Sequence, residues 1–222
     1  MREISVFDVI GPNMIGPSSS HTAGALRIAL MARRIIEGRI TKVTFILYGS
    51  FARTYQGHGT DRALLGGIMG FSTEDKRIKD SFRLADQKGI QYEFVPDTVT
   101  AGVYPNTVEI IATSEDGRKV DIVGESIGGG NARLVRINGI KVDISGQLQT
   151  LVIMQKDVPG VIAHVSQCCY EAGVNIAFLN MYRENKNETA FSVIQVDGDV
   201  SDKLVEAIRR QPNILQVNLI KL

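Results

Sequence analysis

The chain has 222 residues, with 25 Lys+Arg against 24 Asp+Glu and a formal net charge of +1. Charges so balanced, with no basic block, argue against a nucleic-acid partner, and the length suits two small domains better than one large one. No charged-then-apolar leader and no apolar run long enough to cross a bilayer stands in the sequence, so a cytoplasmic protein without membrane contact is expected.

After an apolar stretch at residues 4–10 comes "GPNMIGPSSSHTAGALRI". Ser and Thr are ordinary helix N-caps, but a cap needs one hydroxyl, and here Ser18, Ser19, Ser20 and Thr22 surround the imidazole of His21. Surplus hydroxyls at the mouth of a helix, whose dipole attracts anions, also suit a corner that binds a carboxylate or phosphate. Ala25, Ile28, Ala32, Ile35 and Ile36 recur at helical spacing before Gly38, which predicts an amphipathic helix over residues 22–37 with His21 at its entrance. "KVTFILYGS" predicts a buried strand leading into the polar loop "FARTYQGHGTDRA", which holds His58. Thr60 or Asp61 can cap the next helix, "RALLGGIMG", whose paired glycines allow close backbone packing. A further helix is expected over residues 75–88, closed by Gly89.

From Tyr92 the pattern turns to strands. "NTVEIIATS" and "RKVDIVGES" flank Glu115-Asp116-Gly117, and "ARLVRI" and "IKVDIS" flank Asn138-Gly139, so two hairpins of an antiparallel sheet are predicted. Between them, Gly128, Gly129 and Gly130 suit a loop that lets backbone approach a ligand or another chain. A boundary is expected near residues 145–146, giving domains 1–146 and 147–222. The second reads strand, "KDVPG" loop, helix 161–172, strand, turn "ENKNE", strand, helix 201–210, strand: the βαββαβ arrangement. His164 reads as an ordinary residue of its first helix. Cys168 and Cys169 are the only cysteines, and adjacent positions suit neither a disulfide nor chelation of one metal ion. The sequon at Asn187 reads as a turn.

Three motifs are excluded. "GHGTDR" lacks the third glycine of a dinucleotide fingerprint, no Walker A sequence occurs, and Ser18 to Ser20 have no G-x-S-x-G frame. What remains is His21 with its hydroxyls, His58 with Thr60 and Asp61, and a triglycine loop. Two imidazoles titrating near neutrality can bind a carboxylate or move a proton beside a reacting carbon.

"SVFDVIGPNMIGPSSSHTAG", "YGSFARTYQGHGTDRALLGG" and "ESIGGGNA" resemble the motif blocks of the beta chain of iron–sulfur-dependent L-serine dehydratases, and the last 75 or so residues resemble an ACT domain. The resemblance implies an α+β protein: an α/β domain with antiparallel strands, similar to the allosteric-substrate-binding domain of some phosphoglycerate dehydrogenases, then a ferredoxin-like ACT domain. It implies conversion of L-serine to pyruvate and ammonia, with a [4Fe-4S] cluster acting as Lewis acid on the serine hydroxyl. Such a cluster needs at least three well-placed thiolates; this chain has two, so the cluster is expected on a separate alpha chain, with a monovalent cation as a further possible cofactor. The resemblance casts His21 and His58 as catalytic, and Ser18, Ser19, Ser20, Thr22, Gly59, Thr60, Asp61, Gly128, Gly129 and Gly130 as substrate-binding. In the ACT domain, Asp157, Val158, Pro159, Gly160, Val161 and Asn175 are the expected effector site, and self-association is expected. The alternative is a non-catalytic amino-acid sensor regulating a different partner, which would need neither His58 nor the triglycine loop.

Overall fold

Six strands make the sheet of the first unit: β1 (Ile40–Tyr48), β2 (Gln91–Asp97), β3 (Thr107–Ser114), β4 (Lys119–Gly128), β5 (Asn131–Ile137) and β6 (Ile140–Ile144). They lie in the order β2-β1-β3-β4-β5-β6. The computed structural model describes residues 13–183 and 186–221; the apolar stretch at residues 4–10 and part of the "ENKNE" turn lie outside the described residues. The chain divides into two units, Met1–Ser145 and Gly146–Leu222.

Helix α1 (Ala25–Ile35) precedes β1, and α2 (Gly49–Thr54), α3 (Thr60–Ile68) and α4 (Ser81–Gln87) carry the chain from β1 to β2. That long crossover lets β1 and β2 pair in parallel, whereas β3 to β6 follow by short turns and are antiparallel. Alternate residues Val43, Phe45 and Leu47 of β1 are fully buried, and the register Phe45–Ile110–Ile122 continues the apolar layer across β3 and β4. Helix α1 lies on this face so closely that a Cβ at Gly124 would fall on the Ile28 side chain. The paired glycines of α3 serve the same purpose: a Cβ at Gly67 would lie 2.5 Å from the Leu26 carbonyl oxygen and 2.7 Å from the Ala29 Cβ.

Five local expectations are corrected or refined. The helix predicted over 22–37 begins as a π-helical turn, Ser19–Gly24, before α1 starts at Ala25. The polar loop contains a helix, α2, because Phe51 and Ala52 turn inward and bury. The helix predicted over 75–88 is a 3₁₀ segment, Lys76–Asp80, followed by α4, and the Asp75 carboxylate accepts the Arg77 N–H at its start. Helix α3 is capped by Gly59 in the left-handed conformation, with no side-chain cap from Thr60 or Asp61. The triglycine, finally, lies between the two hairpins as expected but as a tight turn rather than a loop: all three residues have positive φ (93°, 59° and 79°) and turn β4 directly into β5, which joins the hairpins into one meander. Asn138 and Gly139, both at positive φ, make the next turn as expected.

The second unit runs β7 (Gln149–Lys156), α5 (Val161–Glu171), β8 (Asn175–Arg183), β9 (Thr189–Asp197), α6 (Asp202–Arg209) and β10 (Ile214–Ile220). Its antiparallel sheet has the order β10-β7-β9-β8, the split βαβ pattern. Leu151 and Ile153 of β7, Ile194 and Val196 of β9 and Val217 of β10 meet Val165, Cys168 and Cys169 of α5 and Leu204 and Ile208 of α6 in one apolar core. No helix among the described residues is long and apolar enough to cross a membrane.

Candidate functional site

The hydroxyl-rich run closes on itself before α1. The Ser18 carbonyl accepts from Thr22 N (2.9 Å) and Ala23 N (3.4 Å), the wide spacing of a π turn, and Ser18 Oγ accepts from His21 N (3.1 Å). Such turns are rare and concentrate at functional positions. On the sheet side, Ser126 of β4, fully buried, donates its Oγ proton to the Ser20 carbonyl (2.8 Å), and a Cβ at Gly24 would fall on that same Ser126 hydroxyl. The turn is therefore pinned from below, with Ser18, Ser19, Ser20 and His21 half-buried above.

His21 and His58 come together although 37 positions apart: their ring centroids are 4.8 Å from one another. Phe51 of α2 meets the His21 ring edge-on at 5.4 Å. Both nitrogens of His21 face hydroxyls, Nδ1 with Ser18 Oγ at 3.4 Å and Nε2 with Ser50 Oγ at 2.9 Å. His58 sits in the turn between α2 and α3, its N–H on the Thr54 carbonyl and its own carbonyl receiving the Thr22 hydroxyl (2.9 Å). Burial, and then the proximity of His58, hold the His21 pKa below the ordinary value of 6.5. Burial likewise pushes the Asp61 carboxyl above its usual range, opposed by the Arg62 N–H that it accepts at 2.7 Å.

Not every expected contact residue is available to a ligand. Thr22 (3 % exposed) spends its hydroxyl on the His58 carbonyl and so supports the site from within, and Thr60 is fully buried. His58 Nδ1 and Thr60 Oγ1 are buried polar atoms with no hydrogen-bond partner, a cost of roughly 1–3 kcal/mol each that a native fold retains for a reason. Gly59 and Asp61 stay half-buried beside His58. The triglycine turn joins the site indirectly, through Ser126 to Ser20 and through the Asn131 amide to Arg27 of α1. A Cβ at Gly128 would meet nothing within 4 Å, so its glycine answers to backbone conformation rather than to close approach. Sequence reasoning missed Ser50 and Ser126. Ser50 directly follows a buried strand and a glycine, and that was the available signal.

A cavity of about 590 Å³ lies at the other end of β1, lined by Arg33, Arg39, Lys88 and apolar residues including Ile40 and Ile68. It is separate from the histidines; Arg33 and Arg39 donate to the Ile36 and Lys88 carbonyls and so close helix ends.

In the second unit a cavity of about 410 Å³ is lined by Asp157, Val158, Pro159, Gly160, Met181 and Arg183, among others. Gly160 (φ 93°) caps α5, and no side chain bonds to that helix start. The Asp157 carboxylate is already engaged by Asn187 N (2.9 Å) and Arg183 (2.7 Å), which in that order hold its pKa low. Val161 is buried. Asn175 is not part of this cavity: it begins β8 at the opposite end from Arg183 and pairs its amide with Asp197 (2.8 Å). His164 Nε2–H donates to carbonyls at the end of α6, 3.1 Å from that of Ala207 and 3.2 Å from that of Ile208.

Residues 5–135 match the serine dehydratase beta-chain family, and residues 149–213 match the ACT domain. The chain is 41 % identical over 208 residues to the L-serine dehydratase beta chain of Peptoniphilus asaccharolyticus, covering 94 % of each chain. It is 40 % identical over 221 residues to the probable L-serine dehydratase beta chain of Bacillus subtilis (strain 168), covering 99 % of each. A D-3-phosphoglycerate dehydrogenase of the same organism is 27 % identical over 139 residues, 63 % of this chain and 26 % of the relative.

Proposed function

The chain belongs to the serine dehydratase beta-chain family and carries an ACT domain, and from that premise we propose that it is the beta subunit of an L-serine dehydratase, sharing an active site with a separate alpha chain. The observation that carries this reading is the pair of imidazoles, 4.8 Å apart, set in a ring of half-buried hydroxyls. The reaction removes a proton from Cα of L-serine and expels water from Cβ; the enamine left behind hydrolyses to pyruvate and ammonia. His21 is the better base of the two positions to argue for. Its depressed pKa keeps it neutral near neutral pH, and a neutral imidazole can take a proton but cannot hold a carboxylate by charge. Ser18, Ser19, Ser20, Gly59 and Asp61 complete the rim that meets the substrate, with His58 beside the base.

The [4Fe-4S] cluster of the family does not fit this chain's residues. Cys168 and Cys169 are buried against the sheet in the second unit, burial raises both thiol pKa values, and neighbours on a helix point about 100° apart. Among the described residues no three His, Cys, Asp or Glu side chains gather as a metal site. The cluster therefore belongs to the alpha chain in this reading. The ACT unit supplies regulation and self-association, with an amino acid at the Asp157–Val161 turn, where the uncapped start of α5 offers backbone N–H groups to a carboxylate.

The test is reconstitution. Alone, the chain should be colourless and inactive; mixed anaerobically with its alpha chain, it should form a brown complex that deaminates L-serine. Stoichiometric iron and sulfide on the isolated chain would overturn the assignment.

A further inference from the structure

Ser50 is the first residue after Gly49 at the C-terminal end of β1, and its placement is unusually determined. Gly49 has φ 57°, and a Cβ there would lie 2.6 Å from the Pro105 carbonyl oxygen, so the turn cannot relax outward; Ser50 N donates to that same carbonyl at 2.6 Å. The Thr54 hydroxyl donates to the Ser50 carbonyl (2.8 Å) and holds the turn into α2. With its backbone fixed from two sides, Ser50 places Oγ 2.9 Å from Nε2 of His21. On the other side of the ring, Ser18 Oγ accepts the His21 backbone N–H (3.1 Å) and has its own proton to offer Nδ1 (3.4 Å), the partner that an Nε2–H ring requires there.

We infer that Ser50 is a positioning residue for His21: it accepts the Nε2 proton of the ring, fixes the Nε2–H form of the neutral imidazole and orients Nδ1 away from β1. This rests on the reading of His21 as part of the shared active site. An imidazole held at one nitrogen pivots; held at both, between hydroxyls on two different elements, it keeps one orientation, which is what a proton transfer of defined geometry requires. The charged groups around the ring are few. His58 bears on it from the turn before α3, the α3 carboxylate Asp61 is turned to Arg62 N, and β4 presents the uncharged Ser126.

Two measurements test this with separate failure modes. In the full chain without its partner, ¹⁵N–¹H correlation of the His21 ring should show an Nε2-protonated neutral form; Ser50→Ala should weaken that preference and lower the His21 pKa further, since the imidazolium loses an acceptor, while Ser50→Thr retains both. In the complex with the alpha chain, Ser50→Ala should lower kcat by up to about 100-fold, the scale of a misplaced catalytic group, with KM little changed and the acidic limb of the pH–rate profile moved to lower pH. Ser50→Thr should restore most of the activity. Ring signals and titration of His21 identical in Ser50→Ala and the unsubstituted chain would overturn the inference, as would a kcat loss shared equally by Ser50→Thr. If the complex proves not to act on L-serine, the proposed function fails while the ring measurement still decides the role of Ser50.

Discussion

Replacing Gly24 by alanine tests how the π turn is seated. The backbone at Gly24 is helical (φ −63°, ψ −44°), so alanine is conformationally welcome there and returns about 1 kcal/mol over glycine. The new methyl, however, would land on the Ser126 hydroxyl, with Ser126 Cβ only 2.8 Å away, at a residue that is fully buried. Overpacking of this kind costs about 1–3 kcal/mol. Driving Ser126 aside also breaks its bond to the Ser20 carbonyl, a further loss of about 0.5–1.5 kcal/mol. The net expectation for Gly24→Ala is a destabilisation near 2 kcal/mol, or a fall in Tm of about 4–8 °C for a chain of this size. Urea and thermal unfolding of the full chain, followed by circular dichroism, would measure it. The decisive comparison is Gly24→Ala with Ser126→Gly: removing the serine side chain makes room for the methyl, so the double variant should be more stable than the sum of the singles by at least about 1 kcal/mol. A Gly24→Ala chain within about 0.5 kcal/mol of the unsubstituted protein, or strict additivity, would refute the packing argument.

In the complex with the alpha chain, His21→Ala and His58→Ala should each reduce turnover by about 10²–10⁴-fold, the range for a lost acid–base or orienting group, with assembly and cluster content unchanged. His164→Ala should leave turnover alone and cost about 1 kcal/mol of stability, because its ring bonds within the second unit, to carbonyls at the end of α6 and to the Cys168 thiol. By proton NMR, His21 should titrate below 6.5, and His58→Gln should move it part of the way back, since burial is the larger cause and His58 the smaller. Because the folded chain binds this proton less readily than the unfolded one, the stability His21 contributes is fully present above pH 6.5 and is lost as pH falls through its folded pKa. Calorimetry of the full chain with L-serine should show binding that Gly160→Leu removes, with coupling to activity of about 1–3 kcal/mol; binding unaffected by that substitution would place the effector elsewhere.

The features legible in the sequence are those decided within a few residues. The Asn138-Gly139 turn, the short apolar runs of β7 and β9 and the amphipathic α1 and α6 follow from side-chain pattern and from which residues tolerate positive φ, and both are local properties. The two histidine motifs were legible too, because hydroxyls and imidazoles in short loops stand out against apolar periodicity. Tertiary structure decided the rest. Helix α2 exists because Phe51 finds a buried place against the sheet and against His21, a fact no window around "GSFART" contains. The π turn depends on Ser126, more than a hundred positions away, and the two nitrogens of His21 are satisfied by serines 3 and 29 positions distant. Whether a hydroxyl faces outward or into the core is likewise settled by packing: Thr22 carries the same group as its serine neighbours, yet burial turns it into a support for the His58 turn. Periodicity names the face a side chain takes on its own element; only the neighbouring elements determine what that face meets.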